Sequence, residues 1–266
     1  MSSPTSSLES DLAAALGRGE LSLHYQPKYD LLRGRVSSVE ALMRWASPRH
    51  GNVSPRVFIP IAERLGLIND LGRWALAEAC RAAATHYNPS RPTSVAVNAS
   101  PNQLARGESF AEEVAGEIEA AGLPWSAIEI EVTENAILNE AAQDAVFSLA
   151  RRGIHVSLDD FGTGYSSLAY LRRLRPGTLK IDRAFVEDVP ESLESCVLLK
   201  AVIDIGHSLG MRVVAEGVET HDQVLFLEHA GCDVLQGFFL ARPMPEAELI
   251  ACLREKRVER LMRGAK

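Results

Sequence analysis

The sequence predicts an α/β protein with the TIM-like (β/α)8 barrel fold, in which the first strand is antiparallel to its neighbour. From Leu21 onward, eight short segments rich in Val, Ile and Leu alternate with longer amphipathic segments. Eight strands connected by helices is the number that closes such a barrel. The strand segments lack a regular apolar–polar alternation, as expected when helices cover one face of the sheet and packed side chains fill the other.

The first two predicted strands differ from the others, because only residues 31–35 separate them. Five residues cannot hold a crossover helix, so this pair is predicted to form an antiparallel hairpin. In chain order, the predicted strands are residues 21–25, 36–42, 94–97, 128–132, 154–158, 178–181, 211–215 and 233–235.

The predicted helices lie between most of these strands, and one more closes the chain. They are residues 58–65, 71–84, 103–121, 136–151, 166–174, 193–209, 223–230 and 245–261. No low-complexity tract or interior linker interrupts the pattern, so residues 8–266 are predicted to form one domain. Residues 1–7 are polar, and we expect them to be a flexible N-terminal segment.

Composition and charge narrow the possible functions of the chain. With 266 residues and 46% hydrophobic content, the chain can bury a barrel-sized core. A formal net charge of -7 argues against binding to a nucleic-acid polymer. No stretch has the ~20 apolar residues of a membrane span, and residues 1–7 lack a signal-peptide core. We therefore expect a cytoplasmic protein, or the cytoplasmic domain of a larger signalling protein, with its four scattered cysteines reduced.

Six of the apolar segments carry a polar or charged residue near their carboxyl-terminal end, where a turn residue would be expected. These residues are Glu40, Asn98, Glu131, the pair Asp159 and Asp160, Lys180 and Glu216. The carboxyl ends of barrel strands meet at one face, where such enzymes hold their catalytic groups. Because the candidate ligands present oxygen and neither sulfur nor imidazole, hard divalent ions such as Mg²⁺ or Mn²⁺ are the predicted occupants.

Local patterns leave the roles of several of these residues open. Lys180 could be an outward lysine at a strand edge, or an inward ammonium beside the carboxylates. Arg44 lies four residues after Glu40, on the same face of an extended strand, and could bind a phosphate in two-point fashion or form a surface salt bridge. Glu134 and Glu219 could each be an acid in the first turn of a helix.

Eight sequence blocks together resemble the EAL-domain phosphodiesterases, which hydrolyse the bacterial messenger cyclic di-GMP. The blocks are YQP at 25–27, EALMR at 40–44, VNAS at 97–100, EVTE at 131–134, DDFGTGYSS at 159–167, KID at 180–182, EGVE at 216–219 and QG at 236–237. The blocks follow the order of the family. The resemblance as a whole covers the chain from about residue 8 to about residue 249. Three letters alone would carry no weight, but eight ordered blocks are highly specific.

The resemblance implies metal-dependent hydrolysis of cyclic di-GMP to linear pGpG, with two Mg²⁺ or Mn²⁺ ions as cofactors and Ca²⁺ as an inhibitor. It assigns one ion to Glu40, Asn98, Glu131 and Asp159, and the other to Asp159, Asp160 and Glu216. Lys180 and Glu216 are the implied catalytic residues. The implied substrate-binding residues are Gln26, Leu42, Arg44 and Gln236.

The resemblance also implies a supporting set of residues and an oligomeric state. Thr133, Glu134 and Glu219 would support the site from behind the ligands, and Glu134 would hold the loop of residues 161–167. The chain would form a homodimer.

Two other functions compete with this interpretation. The first is a non-catalytic EAL domain that acts as a cyclic di-GMP receptor, although no implied ligand is missing from this sequence. The second is a proton-abstracting barrel enzyme of the enolase type, which also uses a strand-end lysine beside acidic ligands. The blocks around Gln26 and Arg44 favour the phosphodiester as substrate.

Overall fold

Eight strands close into a barrel in the computed structural model, which describes residues 4–86, 93–162 and 168–264. The barrel strands are β1 (Leu21–Asp30), β2 (Arg35–Ser47), β4 (Ser94–Ala99), β5 (Ile128–Thr133), β6 (His155–Phe161), β7 (Thr178–Ile181), β8 (Arg212–Ala215) and β9 (Val234–Leu235). They pair in that order, and β9 pairs with β1 to complete the circle. Two short strands extend the sheet, namely β3 (Gly51–Val53) beside β2 and β10 (Met244–Pro245) beside β1.

The predicted barrel and its antiparallel first strand are confirmed. Strand β1 runs antiparallel to both β2 and β9, whereas the pairs from β2 through β9 are parallel. Its register places Gln26 opposite Glu40 and Lys28 opposite Ser38. The start of β1 therefore lies at the carboxyl-terminal face of the barrel, and its end lies at the opposite face.

The helices cover the outside of this barrel. They are α1 (Pro4–Ala15), α2 (Pro55–Arg64), α3 (Ile68–His86), α4 (Pro101–Leu104), α5 (Glu108–Ala120), α6 (Glu140–Arg151), α7 (Leu168–Leu174), α8 (Leu193–Ser208), α9 (His221–Ala230), α10 (Glu246–Glu255) and α11 (Arg257–Gly264). Helix α1 begins inside the segment of residues 1–7, whose flexibility stays a prediction. Of the described helices, none is long and apolar enough to cross a membrane.

Three predicted helices were wrong in their continuity. The segment 103–121 is divided between α4 and α5, because Gly107 before α5 has φ = 60°. The segment 136–151 begins with a 3-10 turn, and α6 starts only after Asn139, whose side chain accepts from Ala141 N. The segment 245–261 breaks at Lys256, where φ = 52° ends α10 before α11 begins.

Apolar side chains fill two cores. The main core lies between the outer face of the strands and the helices, with Ile130, Leu158 and Leu179 among its fully buried members. A smaller core joins α1, α2 and α3 to the far end of β2, where the rings of Trp45 and Phe58 meet edge to face with centroids 5.9 Å apart. The apolar packing is thus mostly outside the barrel, which leaves its interior to polar side chains.

Candidate functional site

The strand-end residues converge at the carboxyl-terminal face of the barrel, with Lys180 at their centre. Lys180 is 1% exposed, so the interpretation as an outward lysine is wrong. Its Nζ lies 2.7 Å from Glu131 Oε2, 2.7 Å from Glu216 Oε1, 3.0 Å from Asp159 Oδ2 and 3.7 Å from Glu40 Oε2. Carboxylates from four different strands or strand ends therefore share one buried ammonium.

Amide side chains hold Glu40 from both sides. Asn98 Nδ2 donates to Glu40 Oε1 at 2.8 Å, and Gln236 Nε2 donates to Glu40 Oε2 at 2.6 Å. The same Gln236 nitrogen lies 3.1 Å from Gln26 Oε1, and Gln26 Nε2 donates to the carbonyl oxygen of Ala241 at 3.0 Å. Gln26 and Gln236 are thus both at the site, and they connect β1 with the turn that follows β9.

Asp159 and Asp160 lie within β6, and the expectation that they follow the strand is wrong. The strand continues to Phe161, but its pairing with β7 is irregular between Leu158 and Phe161. Asp160 has φ = 55°, a conformation that few residues other than glycine adopt. This local distortion, rather than the end of the strand, interrupts the alternation of the two neighbouring carboxylates.

Glu134 is buried behind these two aspartates. Its Oε2 accepts from Gly162 N at 3.3 Å, and its backbone N donates to the carbonyl oxygen of Asp159 at 3.3 Å. It lies in a turn before α6, so the interpretation as a helix first-turn acid is wrong. Residues 163–167 of the loop that Glu134 is predicted to hold lie outside the described residues.

Two of the four predicted substrate-binding residues, Leu42 and Arg44, line a cavity next to this cluster, whereas Gln26 and Gln236 do not. Leu42, Arg44, Asn98 and Thr133 contribute to a cavity of about 290 Å³. Arg44 is partly buried, and its Nη1 donates to the carbonyl oxygen of Met43 at 2.9 Å. The alternation of β2 puts Glu40, Leu42 and Arg44 on one face of the strand, as predicted.

Glu219 lies apart from the carboxylate cluster. Its side chain is exposed and pairs with Arg183 Nη1 at 2.9 Å. Its backbone N donates to Gln223 Oε1 at 2.7 Å, just before α9 begins. The structure brings the other predicted site residues together, whereas the contacts of Glu219 among the described residues are with Arg183 and Gln223.

Burial and crowding of like charges shift the pKa values of the cluster. Burial and the Glu40 carboxylate raise the pKa of Glu131 to about 8, against the effect of two lysines. Burial raises the pKa of Glu216 to about 7. For Lys180, burial is outweighed by the surrounding carboxylates, chiefly Asp159 and Glu131, and its pKa lies well above the ordinary value. Glu131 and Glu216 therefore resist full ionisation unless more positive charge is present, whereas the two lysines and the amide donors outweigh burial and lower the pKa of Glu40 to about 2.

The donor set fits divalent cations. Among the described residues, no three Asp, Glu, His or Cys side chains already form a ready metal site, since Lys180 occupies the centre of the cluster. However, Glu216 Oε1 lies 2.7 Å from Lys180 Nζ without hydrogen-bond geometry, so it is a buried acceptor without a directed donor. Glu40, Glu131, Asp159, Asp160 and Glu216 carry five carboxylates against the two ammonium groups of Lys180 and Lys28, and this excess of negative charge and oxygen ligands suits Mg²⁺ or Mn²⁺.

Two buried charged residues were missed at the level of sequence. Lys28 is 1% exposed and forms an ion pair with Glu131 Oε1, while Glu129 lies below it in the barrel interior. Their signal is the period of two along a strand, since Lys28 follows Gln26 by two residues and Glu129 precedes Glu131 by two.

Comparison with known proteins identifies the family. The family model for the EAL domain matches residues 9–243. The bifunctional diguanylate cyclase/cyclic di-GMP phosphodiesterase MucR of Pseudomonas aeruginosa is 41% identical over 244 residues, which are 91% of this chain and 36% of MucR. The cyclic di-GMP phosphodiesterase NbdA of the same species is 42% identical over 255 residues, which are 95% of this chain and 32% of NbdA.

A solved structure agrees with this assignment. The structure described as PaMucR phosphodiesterase in complex with c-di-GMP aligns with a TM-score of 0.86 and 40% identity, over 91% of this chain and 99% of that chain. The chain spans about a third of the length of the curated relatives that it matches.

Proposed function

The chain belongs to the EAL domain family, and from this premise we propose that it hydrolyses cyclic di-GMP to linear pGpG with two bound Mg²⁺ or Mn²⁺ ions. The observation that carries the proposal is the convergence of four carboxylates on the buried Lys180, with Asn98 donating to one of them, Glu40. Relatives named as cyclic di-GMP phosphodiesterases match more than nine tenths of the chain, which supports the choice of substrate.

The ligands divide between two sites. Glu40, Asn98, Glu131 and Asp159 would hold one cation, while Asp159, Asp160 and Glu216 would hold the other. Two divalent cations bound there would neutralise charge on the phosphodiester oxygens and lower the pKa of a water molecule. The amide donors from Asn98 and Gln236 fix both oxygens of Glu40, so its carboxylate is oriented before any cation binds.

The substrate-side residues bind and orient the messenger. Arg44 stands at the cavity next to the ligands, and its guanidinium contacts a phosphate oxygen of the substrate. Gln26 and Gln236 offer amide groups at the opposite side of Glu40, and Leu42 contributes an apolar wall to the cavity. Because these groups come from β1, β2 and the turn after β9, the substrate is held by a rigid part of the barrel.

Lys180 and Glu216 handle the proton of the attacking water. The carboxylates around Lys180 keep it protonated, so its Nζ acts as a donor that orients the water. Glu216 Oε1 lies 2.7 Å from Lys180 Nζ, so its carboxylate is within reach of the water that Lys180 orients and accepts its proton. This division assigns orientation to Lys180 and proton transfer to Glu216.

Three residues support this arrangement. Glu134 holds the start of the loop after Asp160 through Gly162 N, and Thr133 pairs in register with Asp159 at the adjacent strand. The backbone N of Glu219 donates to Gln223 Oε1 just before Thr220, the N-cap of α9, and Glu219 supports Glu216 through the intervening backbone. We further propose that the chain works in the cytoplasm as a homodimer. Size-exclusion chromatography with light scattering would test the oligomeric state.

The test is turnover of cyclic di-GMP by the purified chain in Mg²⁺ or Mn²⁺, with pGpG resolved by chromatography. Asn98→Ala removes an implied ligand and should lower the rate by about 10²-fold or more. Asn102→Ala is the matched control, because Asn102 is an exposed amide that donates to Glu63 O outside the cluster. Binding of the messenger without any pGpG would favour a non-catalytic receptor, and an unchanged rate in Asn98→Ala would contradict the ligand assignment.

A further inference from the structure

Lys28 lies inside the barrel, one layer below the residues of the proposed active site. It is in the middle of β1, opposite Ser38 of β2, and its side chain is 1% exposed. A lysine is almost never fully buried unless its charge is paired. Lys28 meets that condition through Glu131 Oε1, with which it forms a short ion pair, and through Glu129 Oε1 at 4.0 Å.

The two oxygens of Glu131 are divided between two lysines. Oε1 accepts from Lys28 on the lower side, and Oε2 accepts from Lys180 at 2.7 Å on the upper side. Lys180 also contacts Glu40, Asp159 and Glu216, so it belongs to the layer of proposed ligands. Lys28 contacts none of these three, and its second partner, Glu129, accepts from Ser157 Oγ below the site.

This division matters when a cation replaces the contacts that Lys180 makes. The upper oxygen of Glu131 is then free to change partner, whereas Lys28 still holds the lower oxygen. A carboxylate fixed at one oxygen has lost most of the rotation that would misplace the other. Partners of this kind, which orient a ligand without touching the metal, are typically needed for full metal affinity.

Lys28 forms part of the wall of a cavity on the side away from the proposed active site. This cavity has a volume of about 390 Å³ and lies at the amino-terminal end of the barrel, opposite the proposed active site. Lys28, Ser38, Glu129 and Thr178 are among its lining residues. A small cation can therefore approach the position of the Lys28 ammonium from below without passing through the active site.

We propose that Lys28 is a positioning residue, which holds Oε1 of Glu131 so that Oε2 is presented to the metal. The inference rests on the proposed function only in taking Glu131 as a metal ligand. A positioning role and a purely electrostatic role predict opposite changes in metal affinity when Lys28 is replaced. Removal of a nearby positive charge should strengthen cation binding, whereas loss of a positioning contact should weaken it.

Mn²⁺ binding without substrate separates these two outcomes. Free Mn²⁺ is measured by electron paramagnetic resonance during titration of the metal-free wild type, Lys28→Met and Ser157→Ala. Lys28→Met keeps the volume of the side chain, and its Mn²⁺ affinity should fall by about 10- to 100-fold. Ser157→Ala, at the position paired with Glu131 across the strands, removes the hydrogen bond to Glu129 but leaves the contact between Lys28 and Glu131 in place, so it should bind like the wild type. An affinity of Lys28→Met equal to or above that of the wild type overturns the proposal.

Chemical rescue tests position rather than stability. Lys28→Ala removes three methylene groups and the ammonium, which together correspond to n-propylammonium. Added n-propylammonium should restore at least about a third of the lost Mn²⁺ affinity in a saturable way, because the cavity admits it and its N–H groups can donate to Glu131. Tetramethylammonium, which has no donor, should have no effect, and equal rescue by both cations overturns the proposal.

Loss of Lys28 leaves the charges of two buried carboxylates less compensated, which could destabilise the fold. A second pair of variants therefore separates an effect on folding from an effect on metal binding. Lys28→Met/Glu129→Gln removes one charge of each sign and is compared with Glu129→Gln alone. The double variant should bind Mn²⁺ about 10- to 100-fold more weakly than Glu129→Gln, and equal binding contradicts the proposal. If the wild type itself bound no Mn²⁺, the proposed metal-dependent function would fail instead.

Discussion

Replacement of Lys180 by Met should separate substrate binding from catalysis. The variant removes an ammonium that lies within 3.0 Å of Glu131, Asp159 and Glu216. A positioned acid–base group contributes about 10²- to 10⁴-fold to a rate, which corresponds to roughly 2.7 to 5.5 kcal/mol of barrier. Arg44, Gln26 and Gln236 remain, so we expect the dissociation constant for cyclic di-GMP to change by less than about threefold while the rate falls by that factor.

The fold should tolerate this change in the presence of metal. Loss of one partner from a buried ion pair costs about 3–5 kcal/mol when the remaining charge has no compensation. Here Glu131 and Glu216 can take up protons, because their pKa values are already raised to about 8 and about 7. Bound cations would also compensate the same carboxylates, so we expect the melting temperature in Mn²⁺ to stay close to that of the wild type.

The assay combines single-turnover kinetics in Mn²⁺ with calorimetric titration of cyclic di-GMP. The wild-type affinity is measured with Ca²⁺ so that turnover does not interfere. Lys200→Met is the matched control, because Lys200 is an exposed lysine that pairs with Asp204 in α8, away from the site. If Lys180→Met loses affinity by the same factor as rate, Lys180 recognises the ground state and the reasoning is refuted.

Three further outcomes follow from the site. Glu134→Ala should melt only slightly lower but lose about 10- to 100-fold in Mn²⁺ affinity, since it holds Gly162 N behind Asp159 and Asp160; a variant that hydrolyses the messenger at the parental rate across Mn²⁺ concentrations would leave it without this role. Because the pKa values of Glu131 and Glu216 are raised from 4.5 to about 8 and about 7, their contribution to the stability of the metal-free fold is present below pH 4.5 and is lost as pH rises through these values. Mn²⁺ competes with the same protons, so the rise in melting temperature caused by Mn²⁺ should be larger at pH 8.5 than at pH 6, and an equal rise at both would contradict these shifts. Ca²⁺, which is larger and more loosely coordinated, should compete with Mn²⁺ for binding and support little turnover; full activity in Ca²⁺ alone would contradict the metal assignment.

The barrel and the convergence of its strand-end residues were predictable because both depend on spacing along the chain. Once the strands of a barrel are placed, their carboxyl ends must meet, and Glu40, Glu131 and Glu216 are brought together by topology alone. The resemblance implied the inward side for Lys180, but the local pattern alone could not decide it, because Leu179 and Ile181 on either side are both fully buried. Only the register of β7 with its neighbours decides which face is the interior.

Helix continuity and the lower layer of charges depend on single residues that local patterns describe poorly. Lys256 has φ = 52°. The surrounding residues favour a helix, so the sequence gives no sign that the helix breaks at this position. Lys28 follows a proline in an apolar strand, where a lysine is usually expected to reach solvent. Its burial follows from Glu129 and Glu131 on the facing side of the barrel, and that pairing spans 103 residues of sequence between Lys28 and Glu131.

The measurement that tests the central claim most directly is turnover of cyclic di-GMP during stepwise return of Mn²⁺ to the fully chelated chain. The two-metal account predicts no detectable pGpG in excess chelator and recovery of the rate as two equivalents of Mn²⁺ bind per chain. Full hydrolysis in excess chelator, or a maximal rate reached with one equivalent, would contradict the account.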